Sequence, residues 1–132
     1  MIFFLDTGYF KALYDEKDPH HNASLKIKDY INEHKETTVI NTTVMVETLN
    51  RAKGPHDIVE KIYDDLHDKN QVIELTDDDY KKSLKVSAWF GNSINYSDCT
   101  ILNTMMSRGI DTIVSFDDDF KNIDILNVIF AM

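Results

Sequence analysis

One cysteine, Cys99, stands in a chain of 132 residues. No intrachain disulfide can form, and a reducing cytoplasm is the expected compartment. Proline and glycine are scarce too, at two and four residues, and no linker, repeat or low-complexity segment interrupts the chain. The reading is one domain over residues 1–132, long enough to bury roughly two thirds of its surface. Long apolar runs are missing as well. Met1-Ile2-Phe3-Phe4-Leu5 is stopped by Asp6, too short for a signal core or a membrane span, so no membrane partner is expected. Positive charge is in deficit: 14 Lys and Arg against 23 Asp and Glu give a net −9. That balance argues against a coat protein that binds nucleic acid through a basic face. It leaves room for an enzyme of nucleic acids, because bound divalent cations locally reverse the sign of an acidic site.

What is present alternates between short apolar strands and amphipathic helices. Residues 2–5 are apolar without polar alternation, as in a strand covered on both faces of a parallel sheet. Helical spacing follows over about 8–15 and, after Asp18-Pro19-His20-His21-Asn22, over 20–34 through Ala23, Ile27, Tyr30 and Ile31. Thr37 to Ile40 reads as a second strand, and Asn41 or Thr42 as the cap of a helix ending near Ala52. Ile58, Ile62, Tyr63 and Leu66 begin another helix. Val72 to Leu75 is a short strand, Thr76 to Phe90 a helix, and 96–107 a further helix capped by Asn95 or Ser97 and closed by Arg108-Gly109. Thr112 to Val114 and Val128 to Phe130 complete the strands. The alternation predicts an α/β domain of three α/β/α layers around a mainly parallel sheet, with right-handed crossovers and a ligand site at the carboxyl ends of the strands.

Four acids lie where such a fold would bury something apolar. Asp6 follows the first strand, Glu47 sits inside Val44-Met45-Val46-Glu47-Thr48-Leu49, Asp98 precedes Cys99-Thr100-Ile101-Leu102, and Asp117 follows Ile113-Val114-Ser115-Phe116. Buried carboxylates are costly unless paired, and several that converge from separate elements suit a hard divalent cation. Each also has an ordinary explanation. Asp6 can cap a helix, Glu47 can pair with Arg51 one turn on, and Asp98 suits the first turn of a helix. Asp117-Asp118-Asp119 can be a solvated turn. Asp98 is the most pointed, because Ile101, Leu102 and Met105 share its helical face. Cys99 reads as a small buried hydrophobe. His20 and His21 read as loop or packing residues, and Trp89-Phe90 with Met105-Met106 as core or subunit interface.

In combination, these segments resemble the PIN domain family of metal-dependent ribonucleases. The likeness rests on Phe4-Leu5-Asp6-Thr7, Thr42 to Glu47, Tyr96-Ser97-Asp98-Cys99-Thr100-Ile101 and Ser115-Phe116-Asp117-Asp118-Asp119-Phe120, with Asp18-Pro19-His20-His21-Asn22-Ala23 similar to the family's Asp-x-x-His loop. Length and architecture are similar to VapC-type toxins of prokaryotic toxin–antitoxin pairs. Gly8 departs from the Asn or Ser of many members, Ser115 replaces Thr, and Thr100-Ile101-Leu102-Asn103-Thr104 replaces an Ala-rich stretch. The resemblance implies one or two Mg²⁺ or Mn²⁺ ions held by Asp6, Glu47, Asp98 and Asp117, with Asp119 auxiliary. It further implies an RNA substrate cut to 5′-phosphate and 3′-hydroxyl ends, a small antitoxin partner and a homodimer. Thr7 and Ser115 are candidates to orient carboxylates, with capping the ordinary alternative; Lys11, Arg51 and Lys53 are candidates to meet the RNA backbone. A housekeeping RNA-processing nuclease and a catalytically silent binding protein of the same fold are the competing readings. An aspartyl phosphatase is disfavoured because Gly8 occupies the position of its second Asp, and a receiver domain because only one acid stands beside the first strand.

Overall fold

The computed structural model describes residues 1–132. Five strands form one sheet: β1 (Ile2–Leu5), β2 (Thr37–Asn41), β3 (Gln71–Ile73), β4 (Thr112–Val114) and β5 (Asn127–Ile129), in the order β3-β2-β1-β4-β5. All four ladders are parallel; the expectation of a mainly parallel sheet becomes a wholly parallel one. The helices are α1 (Thr7–Tyr14), α2 (His21–His34), α3 (Thr42–Arg51), α4 (His56–Lys69), α5 (Asp77–Trp89) and α6 (Tyr96–Arg108). Right-handed crossovers put α1 to α4 on one face and α5 and α6 on the other. Most helix packing divides the same way, with α1 on α2 and α3, α3 on α4, and α5 on α6; α3 also meets α6. No helix is long and apolar enough to cross a membrane.

The chain runs outward from β1 to β3 and then returns to place β4 on the other side of β1. The strand order therefore reverses between β1 and β4, where an open α/β sheet leaves a crevice at its carboxyl edge. Leu5 is in register with Val114, so Asp6 and Ser115 emerge side by side at that edge. Phe3, Phe4 and Leu5 are buried, as their unbroken apolar run requires. Phe120, fully buried, closes a 3₁₀ turn over Asp118–Phe120 and anchors the loop after β4 in the core.

Several boundaries differ from the sequence reading. α1 begins at Thr7 because the Asp6 side chain caps it. β3 ends at Ile73 instead of Leu75, whose N–H leaves the sheet to donate to Thr42 Oγ1 at 3.2 Å. β5 covers Asn127–Ile129. Met105 is buried and Phe90 half-buried, but Trp89 is 85% exposed and Met106 is also exposed. Cys99 is fully buried, and that burial raises its thiol pKa.

A buried polar network ties α3 to α6. Asn41, with no exposed surface, caps α3 by accepting from Val44 N–H at 3.1 Å. Its amide donates to Thr104 Oγ1 at 3.1 Å and to the Thr100 carbonyl at 3.4 Å. Thr43 and Thr100 share a hydroxyl contact of 2.9 Å, and Asn103 donates to the Asp79 carbonyl of α5 at 3.4 Å. The polar run Thr100 to Thr104, which departs from the Ala-rich pattern, thus locks α6 against both neighbouring helices. Asn41→Ala removes a cap and strands buried partners. The expected loss is on the order of 2–3 kcal/mol, read as a lower urea midpoint with unchanged m-value.

Candidate functional site

Asp6 leaves β1 at the switch point with 7% of its surface exposed. Both its oxygens are engaged: Oδ1 accepts from Thr7 N–H at 2.8 Å, and Oδ2 accepts from Ser115 Oγ at 2.8 Å. Ser115, fully buried, also accepts from the Asp117 N–H at 3.1 Å. One hydroxyl therefore sets the acid after β1 and the backbone of the acid after β4. Asp117 Oδ1 in turn accepts from Asp119 N–H at 3.0 Å, which winds the 3₁₀ turn. Asp118, between them, points away to Lys121 at 2.8 Å.

Glu47 reaches the site from α3. It forms no ion pair with Arg51; Thr7 Oγ1 donates to its Oε2 at 3.3 Å. The Thr7 hydroxyl is therefore directed at a carboxylate, while the capping of α1 falls to Asp6. Asp98 rises from the first turn of α6, which Asn95 caps by accepting from the Asp98 N–H at 2.8 Å. Its side chain is 6% exposed, and Oδ2 is buried without any hydrogen-bond partner. One carboxylate oxygen from each of Asp98, Asp117 and Asp119 lies within 4.8 Å of the others. Asp6 and Glu47 stand beside this trio: Asp6 feels the charges of Glu47 and Asp117, and Asp98 feels that of Asp6. The structure thus brings all five acids to one edge, from β1, α3, α6 and the loop after β4.

No lysine, arginine or histidine forms an ion pair with any of the five. Lys11 pairs with Asp18 at 3.3 Å. Lys11, Arg51 and Lys53 line a separate cleft between α1, α3 and α4, and none of the five acids lines it or the neighbouring cleft beneath α2. Burial, opposed by the hydrogen bonds from Ser115 and Thr7, pushes Asp6 from an ordinary 3.8 up to about 6. Burial also drives Asp98 well above the carboxylate range, helped by a hydrogen bond to Asp119 that its protonated form makes and by the charges of Asp6, Asp117 and Asp119. A divalent cation fits this donor set: it would occupy a buried, unpartnered oxygen and offset repulsion that otherwise forces protons onto the site.

A carboxyl whose pKa is higher folded than unfolded favours the folded state while protonated, and that contribution is lost as pH rises through the folded value. Between about pH 4 and about pH 6, Asp6 alone should remove on the order of 3 kcal/mol from the metal-free protein. In chelator, the melting temperature should fall from pH 5 to pH 7. Millimolar Mn²⁺ should reverse the trend, and Asp98→Asn should raise the metal-free value at pH 7. Differential scanning calorimetry over that range checks all three.

With this geometry in view, comparison with known proteins places the chain. No curated protein matches it. Its fold is similar to that of VapC20 from Mycobacterium tuberculosis, a sarcin–ricin-loop-cleaving toxin, at TM-score 0.71 and 23% identity over 90% of this chain and 92% of that one. It is equally similar, at TM-score 0.71 and 16% identity, to chains of two DNA-bound complexes. These are VapBC2 of Rickettsia felis, covering 98% of both chains, and VapBC of Salmonella typhimurium, covering 98% of this chain and 97% of that one. The PIN domain model matches residues 3–126, and the chain therefore belongs to the PIN domain family.

Proposed function

We propose that this protein is a Mg²⁺- or Mn²⁺-dependent endoribonuclease and the toxin of a toxin–antitoxin pair. The observation that carries the reading is the cluster of Asp98, Asp117 and Asp119, with Asp6 and Glu47 beside it, at the switch point without an ion-paired cation, together with the unpartnered buried oxygen of Asp98. Asp6, Glu47, Asp98 and Asp117 would hold the metal, and Asp119 would add a ligand or orient Asp98. A bound divalent ion supplies the positive charge that makes a water more acidic and neutralises a phosphodiester.

The chain's own residues set the stage for that chemistry. Ser115 holds Asp6 and the Asp117 backbone in one orientation, and Thr7 does the same for Glu47. The buried polar network joins the two helices that carry Glu47 and Asp98. Asp98, whose proton affinity is raised by burial, would offer the divalent cation its buried, unpartnered oxygen. The exposed outer carboxylates, Asp117 and Asp119, leave room for a phosphate to enter from solvent.

The toxin role is supported by the likeness to VapC folds found in VapBC complexes. A small antitoxin with a basic segment would suit a site whose carboxylates lack a cation of their own, on a chain of net charge −9. Exposed Leu84 and Trp89 on α5 and Met106 on α6 support self-association as a homodimer.

Total RNA incubated with the protein and Mg²⁺ or Mn²⁺ should be cut. EDTA and Asp98→Asn should each reduce the rate by at least about 100-fold while circular dichroism stays unchanged; the drop is that expected when a metal-held reaction loses its charge stabilisation. Equal cutting by Asp98→Asn would sink the mechanism. Induced expression in a bacterial host should arrest growth with the wild type and spare it with Asp98→Asn. Growth unaffected by an active enzyme would favour an RNA-processing role.

A further inference from the structure

The chain has five histidines, and four have a ring nitrogen engaged. His21, His34 and His67 meet the carbonyls of Ala12, Tyr30 and Tyr63, and His56 meets Glu60. His20 is the exception. It stands at the N-cap of α2 without making a side-chain capping bond, and its exposed ring lies flat on Phe116, with centroids 4.5 Å apart and planes 7° from parallel. The loop beneath it is fixed. His20 N–H donates to Asp18 Oδ1 at 2.8 Å, and the Asp18 carboxylate is held by Lys11. His21 N–H and Ser24 N–H donate to the carbonyls of Asp18 and His20. Phe116, half-buried, is the residue between Ser115 and Asp117, so the stack stands on the rim of the acid cluster.

A protein of net charge −9 that binds RNA draws less than most on the pairing of lysine and arginine with phosphate. Aromatic stacking needs no net charge, and any base has a face to offer. A shelf that is already ordered, with its outer face and both ring nitrogens open, suits that task.

We propose that the His20–Phe116 stack receives an unpaired nucleobase beside the scissile phosphate, with His20 as the surface the base lies on. The base received there must be unstacked at the cut, because a base inside a continuous duplex has no free face. This rests on the ribonuclease reading above and adds a base-binding site to it.

The test follows initial cleavage rates of total RNA against RNA concentration for wild type, His20→Ala, His20→Phe and His20→Lys, with Asp98→Asn as the blank. His20→Ala should raise KM about tenfold and leave kcat within about twofold, the scale of one lost base stack. His20→Phe, which keeps an aromatic surface, should restore KM, and His20→Lys, which keeps only a cation, should not. A hairpin RNA should be cut in its loop in preference to a continuous duplex of the same composition. An unchanged KM in His20→Ala, rescue by lysine but not phenylalanine, or equal cutting of the duplex overturns the shelf while leaving the ribonuclease reading intact. A wild type no more active than Asp98→Asn removes both. If His20→Ala melts early, the contrast between His20→Phe and His20→Lys still decides the matter.

Discussion

Carboxylates packed together in a partly dry site repel one another, and the five at the carboxyl edge of this sheet have no cationic side chain to balance them. Repulsion of this kind has two outlets: protons bind, or a metal ion does. The arrangement of the fold around the site can be understood as the means of holding these groups together despite that cost. Ser115 restrains Asp6 and the loop after β4, Thr7 restrains Glu47, and Asn95 restrains the turn that carries Asp98. The core beneath, from Phe3 and Phe4 to Phe120, supplies the rigidity against which those hydrogen bonds act.

The strand order places the site as much as the side chains do. Because β4 returns to the far side of β1, two strand ends that are far apart in sequence finish in neighbouring positions. Asp6 and Ser115 are 109 residues apart and share a hydrogen bond of 2.8 Å. The buried network of Asn41, Thr43, Thr100 and Thr104 performs a similar service for α3 and α6. Buried polar groups that are fully satisfied stiffen the contact they occupy, and here that contact joins the helices that carry Glu47 and Asp98.

Local signals carried a good part of the fold. The caps at Asn41, Thr76 and Asn95, the glycine after Arg108 and the unbroken apolar run of β1 are short-range features, and the elements they mark formed where expected to within a few residues. Misplaced boundaries came from longer-range competition. Leu75 left β3 because Thr42, distant in sequence, offered its N–H a hydroxyl. Of the two readings of Trp89, core and subunit interface, its 85% exposure at the end of α5 removes the core. Nothing in the spacing of His20 and Phe116 announced their stack, since it joins two loops separated by most of the chain.

By itself the sequence determined the alternation of strands and helices, the absence of an intrachain disulfide, and which acids stand beside apolar segments. Those are properties of residue type and near-neighbour spacing. The tertiary structure alone decided which acids meet, that Asp118 turns outward to Lys121 while Asp117 and Asp119 face Asp98, and that one Asp98 oxygen is buried without a partner. It also decided that the hydroxyls of Thr7 and Ser115 serve carboxylates. The reason is physical: burial and pairing are set by the order in which the strands lie in the sheet, and that order is fixed by packing over the whole chain.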